Sequence, residues 1–162
     1  MKKILIFLLQ IIFIFNVYSL EKNDFRFVVG KSIFSITDTK EQIDQKLSKE
    51  KKLKKKYKNI DTNNYSINGL LISFLGKKVI SMDLESIQGR LLSGIKIGDD
   101  IDKIYTTYGN TIGYKGHFED GYDFIDYYLK LENDSKWKEP QYTLRFIYQK
   151  SKITEIIIFY TE

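Results

Sequence analysis

The apolar and polar positions of this chain fall into alternating stretches that read as strands and two stretches of helical spacing. Phe25, Phe27, Val29 and Ile33 alternate weakly and predict one short strand within residues 25–36, interrupted at Gly30. A helix start follows at Thr37-Asp38-Thr39, any of which can accept a hydrogen bond from an orphan backbone N–H, with Glu41 and Gln42 as first-turn partners. Ile43, Leu47, Leu53 and Tyr57 carry helical spacing to Tyr57, and Asn59-Ile-Asp-Thr-Asn-Asn64 then breaks it. Leu70, Ile72 and Phe74 alternate up to a turn at Gly76-Lys77-Lys78, and Val79, Met82 and Leu84 follow, which predicts a β-hairpin. The irregular step from Val79 to Met82 predicts a bulge or a late strand start.

Ile87 to Ser93 reads as a link into Gly94-Ile-Lys-Ile-Gly-Asp-Asp-Ile-Asp-Lys-Ile-Tyr-Thr-Thr-Tyr-Gly109, a turn and a short helix, with Asp99 as its cap and Gly109 as its stop. Ile101, Ile104, Tyr105 and Tyr108 fall at i, i+3, i+4 and i+7, so one face is apolar and needs cover. Thr111 to Gly121 reads as a loop with a short strand at Ile112 to Tyr114. Tyr122 to Leu131 reads as a strand with Tyr122, Phe124 and Tyr128 on one face and Ile125 and Tyr127 on the other. Glu132 to Gln141, with the only proline at Pro140, reads as a loop before a second hairpin through Tyr142, Leu144, Phe146 and Tyr148 and then Ile153 to Tyr160.

The two hairpins match at a shift of 74 residues. Leu70, Ile72, Phe74, Val79, Met82 and Leu84 meet Leu144, Phe146, Tyr148, Ile153, Ile156 and Ile158, including the irregular step after the turn. The helices match at a shift of 61: Ile36, Asp38, Ile43 and Leu47 meet Ile97, Asp99, Ile104 and Tyr108. The expected fold is therefore α+β, with two tandem helix-plus-β-meander repeats (residues about 25–86 and 94–162) forming an antiparallel sheet with both helices on one face. The Gly94 to Gly109 stretch and the strands after it resemble the helix-entry pattern of the β-lactamase-inhibitor-protein-like fold. Small outer-membrane assembly lipoproteins of the SmpA/OmlA type share a single-unit version of that pattern. The chain departs from it in lacking the lipoprotein cysteine and disulfides and in carrying Asn110 where a proline often follows the glycine. The resemblance implies a scaffold whose relatives mostly bind other proteins.

Composition then narrows the compartment. Lys2 and Lys3 precede the apolar run Ile4 to Phe15, and Val17-Tyr18-Ser19 offers a cleavage site, the layout of a secretory signal peptide over residues 1–19. The rival is an uncleaved anchor, since Ile4 to Leu20 spans 17 residues, the short end of a membrane-crossing helix. Residues 20–162 form one domain in this reading, with 24 basic and 21 acidic side chains. The absence of cysteine and the heavy use of Lys, Ile, Asn and Tyr point to a bacterial chain that is periplasmic or secreted.

The chemistry is mostly exclusion. Without cysteine there is no thiol nucleophile, and with His117 as the single histidine there is no multi-histidine metal site. His117 has no nucleophile-elbow serine to serve. Glu119, Asp120, Asp123 and Asp126 do not have EF-hand spacing and read as solvated acids. The reading is a chain that is not an enzyme and uses no cofactor or metal. Seven lysines crowd Lys49 to Lys58, among them Lys51, Lys52, Lys54, Lys55 and Lys56. They read as a solvated helix extension, with a weak contact to an anionic membrane surface as the functional rival. No aromatic or arginine platform accompanies them, so nucleic acid is not the expected partner.

Ile125, Tyr127, Ile147, Ile157 and Phe159 are read as lying opposite the core set, on an open aromatic sheet face that anchors another envelope or secreted protein. A homodimer interface and a carrier of a small apolar ligand or lipid are the alternatives.

Overall fold

A computed structural model describes residues 20, 24–61, 63–110, 113–129 and 142–161. Residues 1–19, read above as a signal peptide, and the expected loop from Glu132 to Gln141 lie outside them. Strands β1 (Arg26–Val29) and β2 (Ser32–Ser35) are followed by helices α1 (Lys40–Lys49) and α2 (Lys51–Lys56). A meander of β3 (Tyr57–Asp61), β4 (Asn64–Ile67), β5 (Leu70–Leu75) and β6 (Lys78–Leu84) comes next. After β7 (Gly89–Leu91) and helix α3 (Asp102–Tyr108), a second meander runs through β8 (Gly113–His117), β9 (Asp123–Leu129), β10 (Tyr142–Gln149) and β11 (Lys152–Tyr160).

The architecture is α+β. The two meanders join edge to edge through β6 and β11 into one eight-stranded antiparallel sheet, ordered β3-β4-β5-β6-β11-β10-β9-β8. A separate three-stranded sheet, β2-β1-β7, packs with the helices on one of its faces. Helix α3 reaches that face through Tyr108, whose ring lies 5.4 Å from Tyr127 and 6.0 Å from Phe146. The start of α1 reaches it through Lys40, whose ammonium sits 5.1 Å from the Tyr65 ring and 5.6 Å from Phe74. The small sheet presses on the junction: a Cβ on Gly89 would lie 2.6 Å from Leu84 Cδ1, so only glycine lets β7 come this close. The buried apolar side chains all belong to this one core.

Thr39 caps α1 reciprocally with Gln42: the Gln42 N–H donates to Thr39 Oγ1 (3.3 Å) and the Thr39 N–H to Gln42 Oε1 (2.7 Å). Each helical stretch then docks on a hairpin turn. Lys40 N–H donates to the Lys77 carbonyl and Ile101 N–H to the Ser151 carbonyl, both at 3.0 Å. Thr39 also bridges to Lys78, and Asp100 to Lys152. The bulge stands where the Val79 to Met82 step places it: Ser73 pairs with Ser81 but Phe74 with Val79, leaving Ile80 extra. In the second hairpin, Ile147 pairs with Glu155 and Tyr148 with Ile153, leaving Thr154 extra.

Several local expectations are corrected. Residues 25–36 hold two strands folded about Gly30, whose φ of +63° makes it the turn and not an interruption. The lysine helix stops at Glu50 and restarts, because Glu50 takes an extended backbone (φ −109°, ψ 98°). Residues 57–61 form an edge strand, held by Tyr57 against the Tyr65 ring at 4.9 Å. The hairpin expected from Leu70 is preceded by a further strand, because Asn68 and Gly69, both at positive φ, turn β4 back onto β5. The link before Gly94 contains β7, and the short strand expected at Ile112 to Tyr114 runs over Gly113–His117, its first residue outside the described set. Asp99 does not cap α3. Its carboxylate accepts the Lys96 N–H (3.0 Å) and the Lys103 ammonium (2.7 Å), while the helix begins at Asp102 with Ile101, which has no capping side chain, at the N-cap position. Gly109 does end it, at φ +79°.

Leu84 is fully buried where the two meanders and the small sheet meet. Leu84→Ala is expected to lower stability by about 2–5 kcal/mol, read as a shift of the urea midpoint.

Candidate functional site

Alternation along each strand gives the large sheet a covered and an outer face. On the covered face, Leu70, Ile72, Met82, Leu84, Phe146, Leu144, Ile156 and Ile158 are fully buried. Their strand neighbours Leu71, Ser73, Ser81, Asp83, Arg145, Ile147, Ile157 and Phe159 point outward and are half-buried. From β9 and β8, Phe124, Tyr128 and Tyr114 extend this outer face, and Tyr114 keeps 60% of its surface in solvent.

Ile147, Ile157 and Phe159 thus stand on the outer face as their alternation implies. Ile125 and Tyr127 do not. Ile125 pairs with Phe146 and Tyr127 with Leu144, so both share the covered face and are 0% and 1% exposed. Tyr127 is a core residue: its hydroxyl donates to the Gly109 carbonyl at 2.9 Å, tying β9 to the end of α3, and burial pushes its pKa up to about 12. The outer positions of β9 are Phe124, Asp126 and Tyr128.

A charged pair occupies the middle of the aromatic side of this face. Asp126 is directly opposite Arg145 in the ladder and grips it by two bonds, Nε to Oδ1 and Nη2 to Oδ2, each 2.7 Å. The Arg145 guanidinium lies 4.4 Å from the Phe124 ring and 5.2 Å from Phe159. Hydrogen bonding to Asp126 raises the Arg145 pKa, opposed by burial. The pair is held rigid between two rings, with its charge answered internally. Phe124 in turn lies over Gly116, where a Cβ would come within 2.3 Å of the ring, and packs on Phe118 at 4.8 Å.

Across the junction the outer face is acidic. Asp83 pairs with Leu71 on one side and Ile157 on the other, and its carboxyl interacts with that of Glu155. Burial first, then the charge of Glu155 and Glu85, pushes the Asp83 carboxyl up to about 7. Its Oδ1 is buried without a hydrogen-bond partner among the described residues. The expectation that Asp126 is a solvated acid is corrected: it is 3% exposed, because Arg145 opposite it takes both carboxylate oxygens. Asp83 and Arg145 carry only the weak sequence signal of a lone charge at an outward position of an apolar strand.

The remaining acids are spent elsewhere. Asp123 Oδ1 lies 2.7 Å from His117 Nδ1, and both side chains are largely exposed. Among the described residues, no group of three or more His, Asp or Glu is placed to hold a metal ion, and no helix is long and apolar enough to cross a membrane. Lys51, Lys52, Lys54, Lys55 and Lys56 all sit exposed on α2, around the buried Leu53. No family model, curated protein or solved structure matches the chain.

Asp83 gives a pH signature. The folded carboxyl keeps its proton up to about 7, whereas an ordinary aspartate loses it near 3.8, so between these values the folded state binds more protons. Stability attributable to Asp83 therefore falls as pH rises through that window. Urea midpoints of the wild type and Asp83→Asn are expected to diverge from acid to neutral pH, with the variant the more stable at neutral pH. Parallel profiles would contradict this.

Proposed function

We propose that the protein is an extracytoplasmic, non-catalytic module that binds another envelope or secreted protein through the outer sheet face. The observation that carries this reading is the half-buried patch of Leu71, Ile147, Ile157, Phe159 and Phe124 around the clamped Arg145–Asp126 pair. Such a surface offers rigid apolar area with a satisfied polar centre, the composition of an interface core. The covered face is packed by Tyr108, Tyr127, Phe146 and the aliphatic core, which favours partner binding over carriage of a lipid between sheet and helices. Export rests on the charged and apolar layout of residues 1–19.

We also infer that the chain is a tandem repeat, as in the resemblance to the β-lactamase-inhibitor-protein-like fold. The two bulge residues, Ile80 and Thr154, are related by the same 74-residue shift that aligns the hairpins. The docking bonds Lys40 to Lys77 and Ile101 to Ser151 are related by the shifts of 61 and 74. Asp83 and Ile157, which face each other at the junction, also correspond under the 74-residue shift. This is the register that a two-fold relation between the halves would require.

A photo-crosslinking residue at Ile157 is expected to yield a heterologous protein adduct in cells of the source organism, while the same group at Gln45 on α1 yields none. Ile147→Glu and Phe159→Glu should abolish the adduct and leave the thermal midpoint within a few degrees. Equal adducts from both positions, an adduct only with a second copy of the chain, or collapse of stability in both variants would refute the reading.

A further inference from the structure

Helix α2 and its flanks carry a charge that the rest of the fold does not answer. Residues 49–58 hold seven lysines and one acid, Glu50. Glu50 is committed elsewhere: Oε1 accepts the Lys31 N–H at 3.1 Å and Oε2 the Ser32 hydroxyl at 2.6 Å, fastening the β1–β2 turn. Asp61, the next acid along the chain, accepts the Asn63 N–H at 2.6 Å and the Asn64 amide at 3.1 and 2.9 Å. Among the described residues, none of Lys49, Lys51, Lys52, Lys54, Lys55, Lys56 and Lys58 has a carboxylate within 4.0 Å. The lysines on α2 repel one another at i, i+3 and i, i+4, on a six-residue helix with Leu53 as its one buried side chain. Outside residues 49–58, the chain from Leu20 onward has 17 basic and 20 acidic side chains, so the positive charge is concentrated at this one end.

We propose that α2, with Lys49 and Lys58, docks the protein on the anionic headgroup layer of a membrane. Leu53 faces inward, so the five α2 lysines fan over the helix's exposed sides and do not line a groove. A fan of flexible point charges suits a planar, diffuse negative field better than a shaped ligand. No arginine fork accompanies the lysines, and the ring among them, Tyr57, is packed on Tyr65 at 4.9 Å and on the core, so no free platform selects a nucleic acid. A chain exported by residues 1–19 passes a bilayer, and the lysine end supplies an electrostatic contact with that surface. This docking is separate from the outer sheet face and leaves that face free for a protein partner.

The test is co-sedimentation of the chain from Leu20 onward, which holds the whole described core, with vesicles of phosphatidylcholine alone and of equimolar phosphatidylcholine and phosphatidylglycerol. The two vesicle types differ only in headgroup charge, so the difference between them reports the lysines. Partitioning onto the anionic vesicles is expected to be at least about tenfold stronger at low salt and to converge with the neutral vesicles at high salt. The combined Lys→Gln variant at positions 51, 52, 54, 55 and 56 should lose that difference with its thermal midpoint kept, and Lys51→Gln/Lys55→Gln should lose part of it. Ile157→Glu, which removes the outer-face anchor, should bind vesicles as the wild type does. Equal binding to both vesicle types, an unchanged preference in the combined variant, or full competition by soluble polyphosphate at equal phosphate concentration would overturn the proposal.

Discussion

Leu84 meets Ile156 and Met82 meets Ile158 across the one strand pair that makes the two meanders a single sheet. All four side chains are fully buried. Because side chains alternate strictly along a strand, this register decides far more than its own contacts. A slip of one residue would turn Asp83 toward the core and Leu84 toward water, and its effect would pass from strand to strand as far as β3 and β8. The small sheet confirms the choice from above, since β7 can approach Leu84 only at Gly89. The covered face, the outer face and the position of every outward charge follow from this junction.

Much of the fold is legible in the sequence where local signals and burial agree. Helix α3 shows its i, i+3, i+4, i+7 stripe, and Ile104 and Tyr108 are indeed its buried members. The bulge is visible in the spacing of Val79 and Met82. The signal of a single dipeptide is weaker beside such patterns: Asn68-Gly69 is a strong hairpin turn between the alternating residues Tyr65, Ile67, Leu70 and Ile72. The parity of β9 was beyond reach for a different reason. Ile125 and Tyr127 could be assigned a face only by knowing their partners on β10, and Glu132 to Gln141 separates the two strands by too many residues to fix a register. An aromatic strand looks alike from both sides until it is paired.

The outer face combines two opposite electrostatic solutions. Arg145 and Asp126 are partly withdrawn from water but satisfy each other with two short bonds between rings, so their burial is compensated. Asp83 is withdrawn from water next to Glu155 and keeps an oxygen unsatisfied, so it resists ionising. One group gives the face a fixed, internally paired polar centre. The other makes the charge near the junction depend on the medium.

The edge strand β3 has a consequence for how the molecule behaves in a crowd. A sheet edge offers unpaired backbone groups to any passing strand, and long flat edges seed aggregation. Here the edge is five residues long, Lys58 stands on it, and the lysines of α2 immediately precede it. A second edge approaching β3 must enter a concentrated positive field and desolvate those ammonium groups before it can form a ladder. The broken lysine helix therefore also acts as a guard on this edge of the sheet.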